Sequence, residues 1–293
     1  MNNKCPWCGS EKAQINLWLK DEFLSKEDFH LCECLSCGLV YTMPRPSKDK
    51  IGAYYKSEEY YSHQENTKGF IPKLYEKVKS VNLRSKYKMA TQGMNVGTLL
   101  DIGCGVGDFL RTAEQKGWQC TGVEPSEDAK DIARKRIKAD ILNSEDLERL
   151  PDGSFDLITM WHVLEHVDDL RWQVEQLQRL VKPEGRIVIA VPNYKSHDAQ
   201  YYKELWAAYD VPRHLNHFSK PVITKIFKIK GLKLVKTNKL IWDAYYISYM
   251  SEQYKIHQFP LLRGAIRGLI SNRKARKSGE WSSMVYIFEP QQS

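Results

Sequence analysis

Two cysteine pairs, and one acid set just before alternating glycines, are the residues of this chain whose types and spacing could do chemistry. Cys5-Pro6-Trp7-Cys8-Gly9 is answered by Cys34-Leu35-Ser36-Cys37-Gly38 after an interval long enough for two or three strands. Two CxxC knuckles, each followed by a glycine that permits a tight turn, suit four thiolates tetrahedral around Zn2+, as in a zinc ribbon. The competing use of these sulfurs is two disulfides. The start MNNKCPWCGS has no apolar signal segment and no apolar run approaches membrane length, so the expectation is a cytoplasmic chain with reduced thiols. Cys32 competes as a ligand but makes no CxxC pair, and Cys104 and Cys120 read as small buried residues.

The glycines stand in residues 98–110, TLLDIGCGVGDFL. An apolar run fit for a buried parallel strand ends in Asp101. Gly103, Gly105 and Gly107 then let the backbone turn sharply and come close to a ligand, and helix-forming sequence follows. A second strand, residues 119–123, leads to Glu124 and Pro125 at about the distance where an acid grips ribose hydroxyls. The glycine motif alone would serve a dehydrogenase equally well. Residues 155–160 (FDLITM) then give another buried strand running into Trp161-His162-Val163-Leu164-Glu165-His166, and residues 186–191 a further one.

The segments LLDIGCGVGDFL, TGVEPS, LPDGSFDLITMWHVLEHVDD and LVKPEGRIVIAVPN, in this order over residues 97–195, resemble the class I S-adenosylmethionine-dependent methyltransferases, the group that includes the ubiquinone-biosynthesis O-methyltransferases. The departure is Glu184, where that family's turn after the helix usually carries glycine. The resemblance implies an α/β fold: a Rossmann-like seven-stranded, mostly parallel sheet with an antiparallel last strand, here behind a small N-terminal zinc ribbon. It also implies S-adenosyl-L-methionine as cofactor. Asp101 and the backbone of Gly103, Cys104 and Gly105 would line its methionine end, with Gly107 completing the turn, and Glu124, followed by Pro125, would accept the ribose hydroxyls. Ser144 and Glu145 would approach the adenine, and the backbone of Met160 and Trp161 would close the methionine pocket.

Methyl transfer from a sulfonium is an in-line displacement that needs alignment and, usually, a base for the acceptor proton. Two histidine segments fall after strands. His162 follows residues 155–160 at the cleft mouth, while Glu165 and His166 read as loop-organising residues. The second is DVPRHLNHFS at residues 210–219, where His214 is the first choice of base and His217 the second. Asp210 would orient the imidazole, and Arg213 would hold an acidic or phosphorylated substrate. A structural alternative pairs Asp210 with Arg213 and uses His217 as a helix cap. Tyr209, Trp242 and Tyr245, from aromatic insertions, are the other substrate-side residues.

The elements that must position these groups divide into a ribbon (1–45), a connecting helical segment over the cleft (46–95) and the catalytic domain (96–293), with aromatic lid insertions near 194–218 and 240–280. Tyr54, Tyr55, Tyr60 and Tyr61 either cover the cofactor cleft or dock the ribbon, and these uses are compatible. Helix is expected over 168–182, with strands over 231–237 and 283–289. The net charge of +8 gathers in residues 68–88 and 263–277. Residues 259–277 form a basic helix with Leu262, Ile266, Leu269 and Ile270 on one side; such a helix lies on a membrane surface or, more commonly, packs on its own core.

The expected activity is methylation of a small-molecule, sugar or lipid-linked acceptor, with oxygen favoured over carbon and nitrogen. An RNA methyltransferase anchored by the ribbon is the alternative, but Lys4, Lys12, Lys20 and Lys26 are offset by Glu11, Asp21, Glu22, Glu27, Asp28 and Glu33, leaving no basic stripe for nucleic acid. A non-catalytic module keeping the cofactor fold is the third reading, and the intact glycines and Glu124 argue against it.

Overall fold

The computed structural model describes residues 4–55, 70–255 and 258–291. Tyr60 and Tyr61 and the Lys68 end of the basic stretch lie outside the described residues. Strands β1 (Ala13–Lys20), β2 (Asp28–Cys34) and β3 (Val40–Met43) precede a long helical approach: α1 (Lys48–Ile51), a 3-10 turn (Gly52–Tyr55) and α2 (Phe70–Thr91). Next come β4 (Thr98–Ile102), α3 (Asp108–Glu114), β5 (Gln119–Val123), α4 (Glu127–Arg134), β6 (Asp140–Leu142), β7 (Phe155–Trp161), α5 (Leu170–Leu180) and β8 (Val181–Pro192). The C-terminal third holds α6 (His197–Tyr202), β9 (Asn216–His217), α7 (Lys220–Ile229), β10 (Leu232–Lys239), α8 (Asp243–Tyr254), α9 (Pro260–Ser278) and β11 (Ser283–Pro290). None of the described helices is long and apolar enough to cross a membrane.

The main sheet has seven strands in the order β10-β11-β8-β7-β4-β5-β6. Strands β8, β7, β4, β5 and β6 run parallel, and β11 runs antiparallel to both β8 and β10. The fold is thus the Rossmann-like sheet with an antiparallel last strand. Its central strands are near-continuous apolar runs because helices cover both faces. In β4, Leu99 and Leu100 are fully buried, as are Leu157, Ile158 and Met160 of β7. Helix α5 buries Leu170, Val174, Leu177 and Leu180, and Asp169 caps its start by accepting from the Trp172 amide at 2.9 Å.

Strand β8 begins at Val181, earlier than residue 186, because the pairing with β7 carries a bulge: Phe155 faces Val181 and Leu157 already faces Arg186. Gly185 closes that bulge, since a Cβ there would stand 2.9 Å from the Phe155 carbonyl oxygen. The Glu184 departure therefore sits in an extended bulge away from the glycine turn. The sixth strand starts at Leu232 and reaches Lys239.

Two features differ from the simple division into ribbon and catalytic domain. The N-terminal strands form a sheet in the order β1-β2-β3-β9, so its fourth strand comes from the histidine loop. Helix α9 turns its small residues inward: Gly264, Gly268, Ser271, Asn272 and Ala275 are buried, while Leu262, Ile266 and Leu269 are exposed. The commoner arrangement, with the leucine side on the core, is reversed.

Candidate active site and cysteine cluster

Strand β4, interior to the sheet, delivers its last residues to the end where the parallel strands finish. Gly103, Gly105 and Gly107 all take positive φ, at 70°, 54° and 79°, and the amides of Gly103 and Cys104 both donate to the Val123 carbonyl at the end of β5 (2.7 and 3.1 Å). Gly103 has no room for a side chain, because a Cβ would meet Val163 at 2.3 Å. Gly105 differs: a Cβ there would meet nothing within 4 Å. Its bare face opens on a cradle.

Glu124 borders that cradle. Its carboxylate accepts the amides of Gly105 and Ser126, each at 2.9 Å. A carboxylate has about four lone-pair directions, so two remain for hydroxyls. Asp101 is buried and accepts the Thr159 hydroxyl at 2.6 Å. Burial pushes its acid up to about 7, against the opposing pull of Thr159 and Lys86. Lys86, from α2, lies over the Trp161 ring at 4.9 Å, and burial lowers its ammonium. The buried Trp161 Nε1 has no hydrogen-bond partner among the described residues. A cradle without Cβ atoms, spare carboxylate capacity and an unmatched buried donor fit a bound nucleoside cofactor. Met160 contributes backbone only, its side chain being in the core. Ser144 and Glu145 open a 3-10 turn (Ser144–Arg149) after β6. That turn is fixed by Asp146, which accepts the Asn143 amide at 3.0 Å.

The histidines separate into different roles. His162 has φ 60°, and its Nε2 lies 3.0 Å from Asp243 at the start of α8, with Nδ1 3.4 Å from Glu165. These acids overcome the cost of burial and raise the imidazole to about 9, which favours its protonated form and opposes the role of base expected for it. His217 lies in β9 facing Thr42. The Thr42 hydroxyl donates to the His214 carbonyl (2.7 Å) and sits 2.9 Å from His217 Nε2. Burial holds His217 well below its ordinary value as a neutral seam residue. It is neither base nor cap.

His214 is placed differently. Its Nδ1 is 2.8 Å from the Ala208 carbonyl, which makes Nδ1 the donor and leaves Nε2 with a lone pair. Asp210 Oδ2 is 4.0 Å from that Nε2. The His166 ring stands edge-on at 4.5 Å, its Nδ1 on the Arg213 carbonyl (3.0 Å) and the Tyr55 hydroxyl (3.1 Å). Burial and the neighbouring His214 push His166 down to about 4. Glu165 lies buried beside them with neither oxygen hydrogen-bonded, and one donor atom from each of Glu165, His166 and His214 falls within 4.8 Å of the others. The trio can accept a proton or hold a cation.

Arg213 pins the histidine loop to the turn that follows β1 of the N-terminal sheet. Its buried guanidinium donates to Asp21 (2.7 and 3.3 Å), to Asp210 (2.7 and 2.9 Å) and to the Tyr54 carbonyl (3.2 Å), over the Phe23 ring. Each of its three nitrogens already has an internal acceptor, so the expected hold on a substrate would have to compete with these bonds. Tyr209 is likewise core, packed against Trp206 and His217. Trp242 is exposed, and Tyr245 lies half-buried against α9 at Gly268. Of the tyrosines before α2, Tyr54 donates to Glu27 of the N-terminal sheet while Tyr55 reaches His166. Tyr54 thus serves the docking use, and Tyr55 joins the histidine loop.

Cys5, Cys8, Cys34 and Cys37 bring their sulfurs within 4.8 Å of one another, with Cys5–Cys37 at 3.6 Å and Cys8–Cys34 at 3.5 Å. Those separations are far beyond a disulfide bond and close to the ~3.8 Å edge of a tetrahedron with Zn–S bonds of about 2.3 Å. Cys32 stands outside the group. The four sulfurs could hold one tetrahedral ion.

Sequence reasoning passed over Lys86, Thr159 and Asp243 as site residues. Each lies far along the chain from the group it touches, and only the crowding of lysines before residue 88 signalled the first.

Residues 74–237 match the family described as Methyltransferase domain. Over 124 residues the chain is 28% identical to the ubiquinone biosynthesis O-methyltransferase of Hydrogenovibrio crunogenus, covering 39% of this chain and 52% of that one. It is 31% identical over 122 residues to the malonyl-acyl-carrier-protein O-methyltransferase of Serratia marcescens, covering 41% and 47%. The chain thus spans about half the length of the curated relatives it matches. The geranyl diphosphate C-methyltransferase of Streptomyces coelicolor A3(2) shares the fold at 15% identity, with a TM-score of 0.51 over 73% of this chain and 80% of that one. Taken with the sheet order and the glycine turn, the match over 74–237 shows that this chain belongs to the methyltransferase-domain family.

Proposed function

We propose that the chain transfers a methyl group from S-adenosylmethionine to a small-molecule, sugar or lipid-linked acceptor, with oxygen the favoured atom. The observation that carries this reading is the pairing of Gly105, whose face is open, with Glu124, whose carboxylate keeps capacity after binding two amides. S-adenosylmethionine, when bound, supplies an electrophilic methyl on a sulfonium. The chain's own part is to hold ribose at Glu124, line the methionine end with Asp101, Gly103 and Cys104, and exclude water with Trp161 and Phe109, whose rings stand 5.3 Å apart.

His214 is the base in this reading. Its Nε2 would take the acceptor's hydroxyl proton as oxygen attacks the methyl and the carbon–sulfur bond breaks. Asp210 and the buried Glu165 offset the imidazolium charge that results. The four cysteines would hold structural Zn2+, which supports the small N-terminal sheet and, through β9, the loop carrying His214. The O-methyltransferase relatives support oxygen as the methylated atom.

Calorimetric titration with S-adenosylmethionine tests the donor half. Glu124→Ala should weaken binding on the order of a hundredfold, the loss of two hydrogen bonds to a charged group. No heat with the wild-type chain, or equal affinity in the variant, would end the reading. His214→Ala should keep donor affinity while abolishing release of S-adenosylhomocysteine in the presence of a small-molecule extract; loss of both would assign His214 to structure.

A further inference from the structure

Helix α9 meets the molecule through its smallest residues. A Cβ on Gly264 or Gly268 would stand 2.6 or 2.8 Å from the Cα of Tyr249 or Tyr245 on α8. Ser271, Asn272 and Ala275 continue this buried stripe. The opposite stripe is Leu262, Ile266, Leu269, Arg273 and Lys277, spaced by four, three, four and four residues along one helix face.

That outward stripe is divided along its length. Its first half is apolar and open to solvent: Leu262 is 62% exposed, and Ile266 and Leu269 are each 50%, beside Phe259 and Leu261 at 72%. Its second half is cationic, with Arg273, Lys274, Arg276 and Lys277 all exposed. No acidic residue occurs from 260 to 278. The remaining two cations of the helix serve the fold instead, Arg263 on Glu252 at 3.1 Å and Arg267 over the Tyr201 ring at 3.9 Å. Four large aliphatic side chains and a phenylalanine in one exposed patch are more than chance exposure on a monomer.

We propose that the α8–α9 hairpin docks on an anionic lipid bilayer. The apolar half of the stripe enters the boundary between headgroups and acyl chains, and the cationic half meets headgroup phosphates. Charge complementarity selects this occupant: a second copy would bring the same cations with no acid on the helix to answer them. The docking face is also joined to the cleft, because α8 opens with Asp243, 3.0 Å from His162. A bilayer under α9 thus lies against the helix pair whose first residue, Asp243, meets His162. The inference rests on this surface and is independent of the methyl-donor reading.

The test is co-sedimentation of the full chain with vesicles of phosphatidylcholine alone or with about one-third phosphatidylglycerol. The wild-type chain should bind the mixed vesicles at least about tenfold more tightly, and added salt should weaken that binding. Leu262→Glu with Ile266→Glu should abolish binding. Arg273→Gln, Arg276→Gln and Lys277→Gln together should weaken it on the order of a hundredfold and remove the preference for phosphatidylglycerol. All five side chains are exposed, so thermal midpoints should hold and report that the fold persists. Absence of binding to mixed vesicles, or binding indifferent to both variants, would overturn the proposal. So would a dimer in light scattering that Ile266→Glu dissociates, which assigns the face to a second copy.

Discussion

In the donor cleft Glu124 accepts two amides and keeps lone pairs free, Gly105 faces open space, and the Trp161 indole nitrogen is unmatched. At the seam between the histidine loop and the N-terminal sheet, Arg213 donates to Asp21, Asp210 and the Tyr54 carbonyl, and Asp21 also accepts amides from Phe23, Leu24 and Ser25. Both regions are rich in buried charge. What separates them is unused hydrogen-bonding capacity, which a ligand can satisfy in the cleft and which the Arg213 cluster has already satisfied internally. A dense polar constellation in the sequence therefore marks either a site or a joint, and only the partners decide which.

The largest expected break in this comparison is loss of the cysteine cluster. Strand β3 pairs with β9, and Thr42 holds the His214 carbonyl, so unfolding the N-terminal sheet should loosen residues 210–219 and leave the β4–β5 turn intact. Structural zinc contributes on the order of 10 kcal/mol in small domains, so if the four cysteines hold zinc as proposed, Cys34→Ser or a strong chelator should unfold the N-terminal sheet outright. Hydrogen exchange should rise across 210–219, turnover should fall, and calorimetric donor affinity should hold. A matching fall in donor affinity would show that the two regions are one cooperative unit.

Next in size is Arg213→Ala. Removing one partner of a buried ion pair costs about 3–5 kcal/mol because the other charge stays buried, and here Asp21 retains only the amides and the Ser25 hydroxyl of its own turn. Urea denaturation should show that loss, with donor affinity unchanged. If the variant were as stable as the wild type and only the Michaelis constant for acceptor rose, Arg213 would return to the substrate side.

The donor cleft was legible in the sequence because its parts are contiguous: strand, turn and the acid on the neighbouring strand lie within residues 98–124. The seam was not, because Asp21 and Arg213 are 192 residues apart and no local pattern joins them. The sequence ranks His214 ahead of His217 as a base but holds no sign that β9 pairs with β3 and buries His217 against Thr42. Helix α9 carried its own clue. Leu262, Ile266 and Leu269 and the small stripe of Gly264, Gly268 and Ala275 have the same period, so periodicity could not choose the buried face. Close approach of a neighbouring backbone favours the glycines, and tyrosines on α8 supply it.

The smallest effect tests the border between cleft and hairpin. His162, raised to about 9 by Asp243 and Glu165 against an ordinary value of 6.5, binds a proton in the native state that the unfolded chain releases between those limits. Its contribution to stability is thus complete below pH 6.5 and lost as pH rises to 9, with a slope of at most about 1.4 kcal/mol per pH unit. Below that window Asp101, raised to about 7, and His166, lowered to about 4, act with opposite signs and largely offset each other. Any pH dependence of the cysteine cluster acts equally in a variant that keeps it. The difference in urea midpoint between wild type and Asp243→Asn should therefore shrink steadily from pH 6.5 to 9. A difference independent of pH would mean that Asp243 holds α8 by packing alone, and the charge linking hairpin to cleft would have to be sought at Lys86.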